Sequence, residues 1–192
     1  DDVEYDFADL VDFISKIDEI KRIHFTTSHP NEMNDNLINS FKNNKKLANF
    51  IHLPIQSGSD RILLGMKRNY LYLEYKNIIR KLRMANPEIK ISSDFIVGFP
   101  GETDEDHKKT LKAIKELDLD YSYSFLYSPR PGTPAAFIKD ETPLDIKKNR
   151  LNEIQDLITI QGKKHTEMML NTHQRVLITN EIEHNIYKGK TD

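Results

Sequence analysis

The run Ile51-His52-Leu53-Pro54-Ile55-Gln56-Ser57-Gly58-Ser59-Asp60 decides how this chain folds. It is a short apolar stretch that stops abruptly in small and polar residues. Two later segments repeat the pattern: Ser93-Asp94-Phe95-Ile96-Val97-Gly98-Phe99-Pro100-Gly101-Glu102-Thr103 and Tyr127-Ser128-Pro129-Arg130-Pro131-Gly132-Thr133-Pro134-Ala135-Ala136. A parallel strand buried on both faces reads as a near-continuous apolar run, and in βα architectures the ligand sits beyond the C-terminal ends of such strands. Three strand ends of this kind predict one binding site at one rim.

Working outward, helical spacing and strand-like runs alternate. Phe7, Leu10, Val11, Phe13, Ile14 and Ile17 recur at helical intervals, and Arg22 to Thr27 then reads as a strand closed by Ser28-His29-Pro30. A helix over 34–43 precedes a strand over 49–53, and Ser59-Asp60 can open a helix toward Met66. Glu74 to Ala85 is helical, with Pro87 as its stop. Lys90 to Val97 is a strand, and Thr103 with Asp106 fits the capping pattern of a helix reaching Leu117. Asp120 to Tyr127 alternates as a strand, Pro143 opens a long helix to about Leu170, and 174–182 reads as further strand. The fold class is therefore α/β, with about four parallel strands and their helices, too few to close an eight-stranded barrel. The expected boundary divides 1–171 from 172–192.

With 192 residues, 38% hydrophobic and 30% charged, the chain can bury one core under a solvated surface. Its net charge of −2 argues neither for nor against nucleic acid, so any RNA contact needs a local patch. There is no cysteine, which excludes disulfides and thiolate-held metal centres within these residues. No apolar run approaches the ~20 residues that span a bilayer, so no membrane association and a cytoplasmic location are expected. The chain opens on Asp1-Asp2 without Met and closes on Lys190-Thr191-Asp192 just after strand-like sequence, so both ends read as cut.

The candidate residues each carry a plain reading beside the functional one. The turn at Gln56-Ser57-Gly58-Ser59 can present N–H groups to an anion, but by itself it reads better as a tight turn with a helix cap. Asp94 lies inside an apolar strand, so it either pairs with a buried base or reaches the rim to bind a polar ligand. Arg130 is stiffened between two prolines and suits an anion or a structural ion pair equally. His24, His29 and His52 match no compact metal spacing. Tyr121, Tyr123 and Tyr127 read as one strand face before a base-stacking platform, and Lys147, Lys148, Arg150, Lys163 and Lys164 as a solvated helix face before an RNA contact. No nucleophilic triad, P-loop or carboxylate pair is visible.

As a set, Phe25 to Pro30, Ile51 to Asp60, Met66-Lys67-Arg68, Ser92 to Thr103 and Tyr127 to Ala136 resemble the radical S-adenosylmethionine methylthiotransferases, in their MiaB-type tRNA branch. The resemblance covers nearly the whole chain. It implies the later part of a partial (β/α) radical-SAM barrel, a connecting helix, and at 172–192 the start of a β-rich, RNA-binding TRAM-like domain. It implies S-adenosylmethionine and 4Fe–4S clusters as cofactors, the anticodon arm of tRNA and an external electron donor as partners, and a monomer. The cofactor pocket it implies is formed by Ser28, Gln56, Ser57, Asp94 and Arg130. The chain departs from the family in having no cluster cysteines, so alone it is expected to be catalytically incompetent. A non-catalytic remnant that binds S-adenosylmethionine or tRNA, and the sister branch that modifies a ribosomal-protein aspartate, are the alternatives.

Overall fold

The computed structural model describes residues 5–26 and 29–191. Helix α1 (Phe7–Ser15) starts at a reciprocal cap between Asp6 and Asp9, and α2 (Asp35–Asn43) starts at Asn34, whose side chain accepts from the Leu37 amide. Strand β1 (Phe50–His52) is followed by α3 (Asp60–Gly65) and α4 (Tyr72–Ala85). Then come β2 (Lys90–Val97), α5 (Asp104–Leu117), β3 (Tyr121–Leu126) and the long α6 (Leu144–Met168). An antiparallel hairpin, β4 (Leu177–Glu183) and β5 (Ile186–Lys190), ends the described chain.

Strands β1, β2 and β3 form one parallel sheet in that order. Three strands stand where about four were expected. Of the segment predicted as a strand from Arg22 to Thr27, the described residues contribute only an isolated bridge, Ile23 beside Leu47, and Thr27 lies outside the described residues. Phe25 explains the departure: its ring packs edge-on against Phe7 and lies 5.7 Å from Phe41, so it is drawn toward α1 and α2 instead of continuing a ladder.

Because successive strand residues face opposite ways, the sheet has two distinct faces. Ile51, Ile91, Phe95 and Val97 are fully buried on one, in a core with Leu63, Tyr75, Leu82 and Ile114 from the helices. The register places His52, Ser92 and Tyr121 abreast on the other, then Asp94 with Tyr123 and Ile96 with Phe125. This second face is open, and Tyr121, Tyr123 and Phe125 remain about half exposed. Helix α6 lies against β3 and α5 and drives Ile154 into the core.

Candidate functional site

Pro54 shapes the first strand end. Between the pairs His52–Ser92 and Gln56–Phe95, the β1 chain takes four residue steps while β2 takes three, which is the signature of an inserted bulge residue. Substitute partners satisfy the disrupted ladder: the Ile55 amide donates to Ser93 Oγ at 2.9 Å, Tyr75 donates to the Leu53 carbonyl at 2.7 Å, and Tyr70 to that of Ile55 at 2.9 Å. Burial pushes the Tyr70 phenol up to about 12, consistent with a fixed hydroxyl donor. The extra residue leaves Gln56 with φ 74°, in the left-handed region. Its amide still donates to the Asp94 carbonyl, and its carbonyl accepts from Ile96.

The following turn is close-packed. A Cβ on Gly58 would come within 2.6 Å of the Lys109 carbonyl and the Ala113 side chain, so only glycine lets α5 approach. The Gly58 amide donates to Thr110 Oγ1 and the Ser59 amide to Ser57 Oγ. These N–H groups are thus consumed inside the protein, and the turn itself is no anion cradle. Ser59 Oγ, expected to cap α3, instead donates to Asp106 at 2.6 Å.

The second strand end is locked from below. The Gly98 amide donates to Glu102 Oε2 at 2.7 Å, and Arg150 of α6 donates to the Glu102 carboxylate and carbonyl and to Asp104. Burial pushes the Glu102 carboxyl above its ordinary value, while the Gly98 amide and Arg150 pull it down. Arg150, read from sequence as part of a solvated helix face, is 7% exposed and clamps the turn.

The three strand ends and the turn after α3 enclose a cavity of about 650 Å3. Gln56, Asp94 and Arg130 all line it, so three of the five expected pocket residues are brought together. Ser57 is fully buried, faces Thr110 of α5 and is not part of the lining. Ser28 lies outside the described residues. Asp94 lies 3.3 Å from His52 Nε2, as its pairing reading expects, and it also lines the cavity. His52 Nδ1 is in turn 2.7 Å from Ser92 Oγ, so a three-residue polar chain fixes the carboxylate. Ile96, Phe99, Phe125 and Tyr127 form the apolar wall. Sequence reasoning did not include Lys67 and Arg68, which also line the cavity; the signal available was their place beside Met66 in a recognisable motif.

Residues 1–114 match the family described as the Radical SAM superfamily. Over 189 residues, 97% of the chain, it is 52% identical to the tRNA-2-methylthio-N(6)-dimethylallyladenosine synthases of Francisella tularensis subsp. novicida (strain U112) and subsp. holarctica (strain LVS). The chain spans 43% of the length of those relatives. Escherichia coli coproporphyrinogen III oxidase (HemN), described as a radical SAM enzyme, shares the fold with a TM-score of 0.61 at 21% identity, covering 73% of this chain and 32% of that one. Methanocaldococcus infernus Elp3 gives 0.52 at 18% identity, covering 71% and 32%. At such identities the likeness is one of fold alone.

Proposed function

This chain belongs to the radical SAM superfamily, and on that premise we propose that it is part of a tRNA methylthiotransferase, one that adds a 2-methylthio group to isopentenyladenosine beside the anticodon. The observation that carries this reading is 52% identity to synthases of that name across nearly the whole chain, cavity loops included.

The cavity suits S-adenosylmethionine, which when bound supplies the radical and methyl chemistry of the superfamily. Gln56 offers both a donor and an acceptor to its polar groups, and Asp94 an acceptor for its ammonium or ribose hydroxyls. His52 and Ser92 hold Asp94 in place, while Ile96, Phe99 and Tyr127 offer an apolar wall beside it. The residues present do not suit an iron–sulfur cluster, because thiolates hold such clusters and the chain has no cysteine. These 192 residues therefore bind and position, and the electron that starts the chemistry enters elsewhere. The anticodon arm of tRNA, an external electron donor, a monomeric state, a cytoplasmic location and a TRAM-like continuation of β4 and β5 belong to the same proposal. No helix among the described residues is long and apolar enough to cross a membrane.

The test replaces the matching segment of a full-length Francisella synthase with these 192 residues and expresses the chimaera in cells lacking the modification, followed by mass spectrometry of tRNA nucleosides. Methylthiolated adenosine is expected with the chimaera carrying Asp94 and not with Asp94→Ala. Unmodified tRNA in both strains overturns the reading, and a methylthiolated ribosomal-protein aspartate moves it to the sister branch.

A further inference from the structure

Helices α5 and α6 run parallel, and the polar contacts between them keep one register. Asp104 meets Arg150 and His107 meets Glu153, each pair 46 residues apart. The Gln161 side chain donates to the Ile114 carbonyl at a separation of 47, and Asp118 meets Lys164 at 46 and His165 at 47. An offset this constant, from the first turn of α5 to its C-cap, gives α6 a single axial position. A slide by one turn, about 5.4 Å, would break every rung. Polar pairs in a helix seam are the usual means of fixing a register.

What the register delivers is Arg150. Its guanidinium donates to the Glu102 carbonyl at 3.0 Å, to Glu102 Oε2 at 3.2 Å and to Asp104 at 2.6 Å. The same Glu102 oxygen accepts from the Gly98 amide at 2.7 Å. Gly98 has φ 72°, and α6 comes so close that a Cβ there would lie 2.8 Å from the Lys147 side chain. The next residue, Phe99, lines the cavity, and its ring centre is 5.1 Å from that of Tyr127, which lines it too. A chain of contacts therefore runs from α6 to the cavity wall, although no residue of α6 is part of the lining.

Glu102 is buried, so its charge depends on its neighbours. Burial raises its carboxyl, and the Gly98 amide, Arg150 and His107 lower it. The other charged groups packed around this cluster are Asp104 of α5, Arg61 of α3, Glu153 of α6, which faces His107, and Lys147 of α6, which is paired with Asp140.

We propose that Arg150 is a positioning residue for cofactor binding: by bonding the Glu102 carboxylate it holds the Gly98 turn, and with it Phe99, in place. This rests on the reading of the cavity as the S-adenosylmethionine site and extends that site to a helix that does not touch it.

The test follows the Gly98 amide by proton–nitrogen NMR across a pH series and S-adenosylmethionine affinity by calorimetry. An amide proton bonded to a carboxylate is deshielded and moves upfield when that carboxyl is protonated. Arg150→Met is expected to shift this movement to higher pH and to weaken cofactor binding about tenfold, roughly the worth of one good polar contact. Arg150→Met combined with Glu102→Gln removes both charges and leaves an oxygen for the Gly98 amide. The double variant is expected to regain most of the lost affinity and melting temperature. Arg150→Lys keeps a cation without the fork that reaches carbonyl, carboxylate and Asp104 together. It is expected to fold, to keep the Gly98 titration near that of wild type, and to bind the cofactor with an affinity between wild type and Arg150→Met. A merely structural arginine lowers the melting temperature and moves neither the amide titration nor the affinity of the folded protein. That result overturns the proposal, as does a double variant that binds as weakly as Arg150→Met, or wild-type affinity in Arg150→Lys. The Gly98 titration involves no cofactor. A wild-type chain that binds no S-adenosylmethionine, while Arg150→Met still moves that titration, overturns the cofactor reading and leaves Arg150 as the support of the turn.

Discussion

Gln56 stands in its strained conformation because two requirements meet there. The bulge after Pro54 places one residue at φ 74°, and the proposed cofactor site calls for a side chain that can both give and accept a hydrogen bond. Glycine meets only the first. Both of the sheet contacts Gln56 makes use backbone atoms, so a glycine retains them. Gln56→Gly is therefore expected to raise stability by about 0.5–1 kcal/mol in urea unfolding, while S-adenosylmethionine affinity falls about tenfold by calorimetry, roughly the worth of one good polar contact. A variant that is less stable with full cofactor affinity counts against the assignment of Gln56. Gln56 was legible in the sequence because it ends an apolar strand, and Asp94 because a carboxylate inside an apolar strand needs a partner or a ligand. Ser57 was grouped with them by proximity alone. Side-chain direction in a bulged turn depends on the backbone angles of that turn, which no alternation rule supplies, and the structure sends Ser57 toward α5.

Helix boundaries fell close to their sequence signals wherever a cap marked them, as at Asn34 and at Thr103 with Asp106. What local sequence could not reveal is how one cap serves a second helix. Asp106 accepts from the Thr103 amide at 2.9 Å and hydroxyl at 2.6 Å within α5, and from Ser59 and Arg61 across the gap to α3. Burial alone pushes its carboxyl up, but the bonds from Arg61, Ser59 and Thr103 outweigh this and hold it well below the usual carboxylate range. A carboxyl depressed in the folded state stabilises the protein above its unfolded value of about 4, and that contribution is lost as pH falls below it. Asp106→Asn puts a donor where acceptors are needed and is expected to cost about 1–3 kcal/mol at neutral pH. The gap in melting temperature between variant and wild type should then narrow as pH drops from 5 toward 3. A gap that widens on acidification contradicts the assigned role. The strand read at 22–27 failed for a reason of the same kind: β propensity was present, but Phe25 found its partners in α1 and α2.

At the scale of the whole molecule, a net charge of −2 conceals three cations, Lys67, Arg68 and Arg130, around one cavity, and a buried sheet face is matched by an open one carrying Tyr121, Tyr123 and Phe125. Bulk composition was silent on both because each depends on where the strands end. Composition was decisive on one point only, the absence of cysteine. Nor do the described residues include a group of three or more His, Asp or Glu able to hold a metal ion. On the proposed reading, cofactor binding and cofactor cleavage are separable in this chain: the first would use the cavity, the second a reducing centre for which these residues offer no thiolates. After anaerobic incubation with iron and sulfide, followed by desalting, the chain is expected to retain no protein-bound iron and no visible cluster absorption. Calorimetry should still register S-adenosylmethionine binding that weakens in Asp94→Asn, because the acceptor held by His52 is replaced by an amide. With a strong reductant added, chromatography should recover the S-adenosylmethionine intact. Retained iron together with cleaved cofactor contradicts this separation and requires a ligand set other than thiolates. Intact cofactor with binding that Asp94→Asn leaves unchanged moves the cofactor out of this cavity altogether.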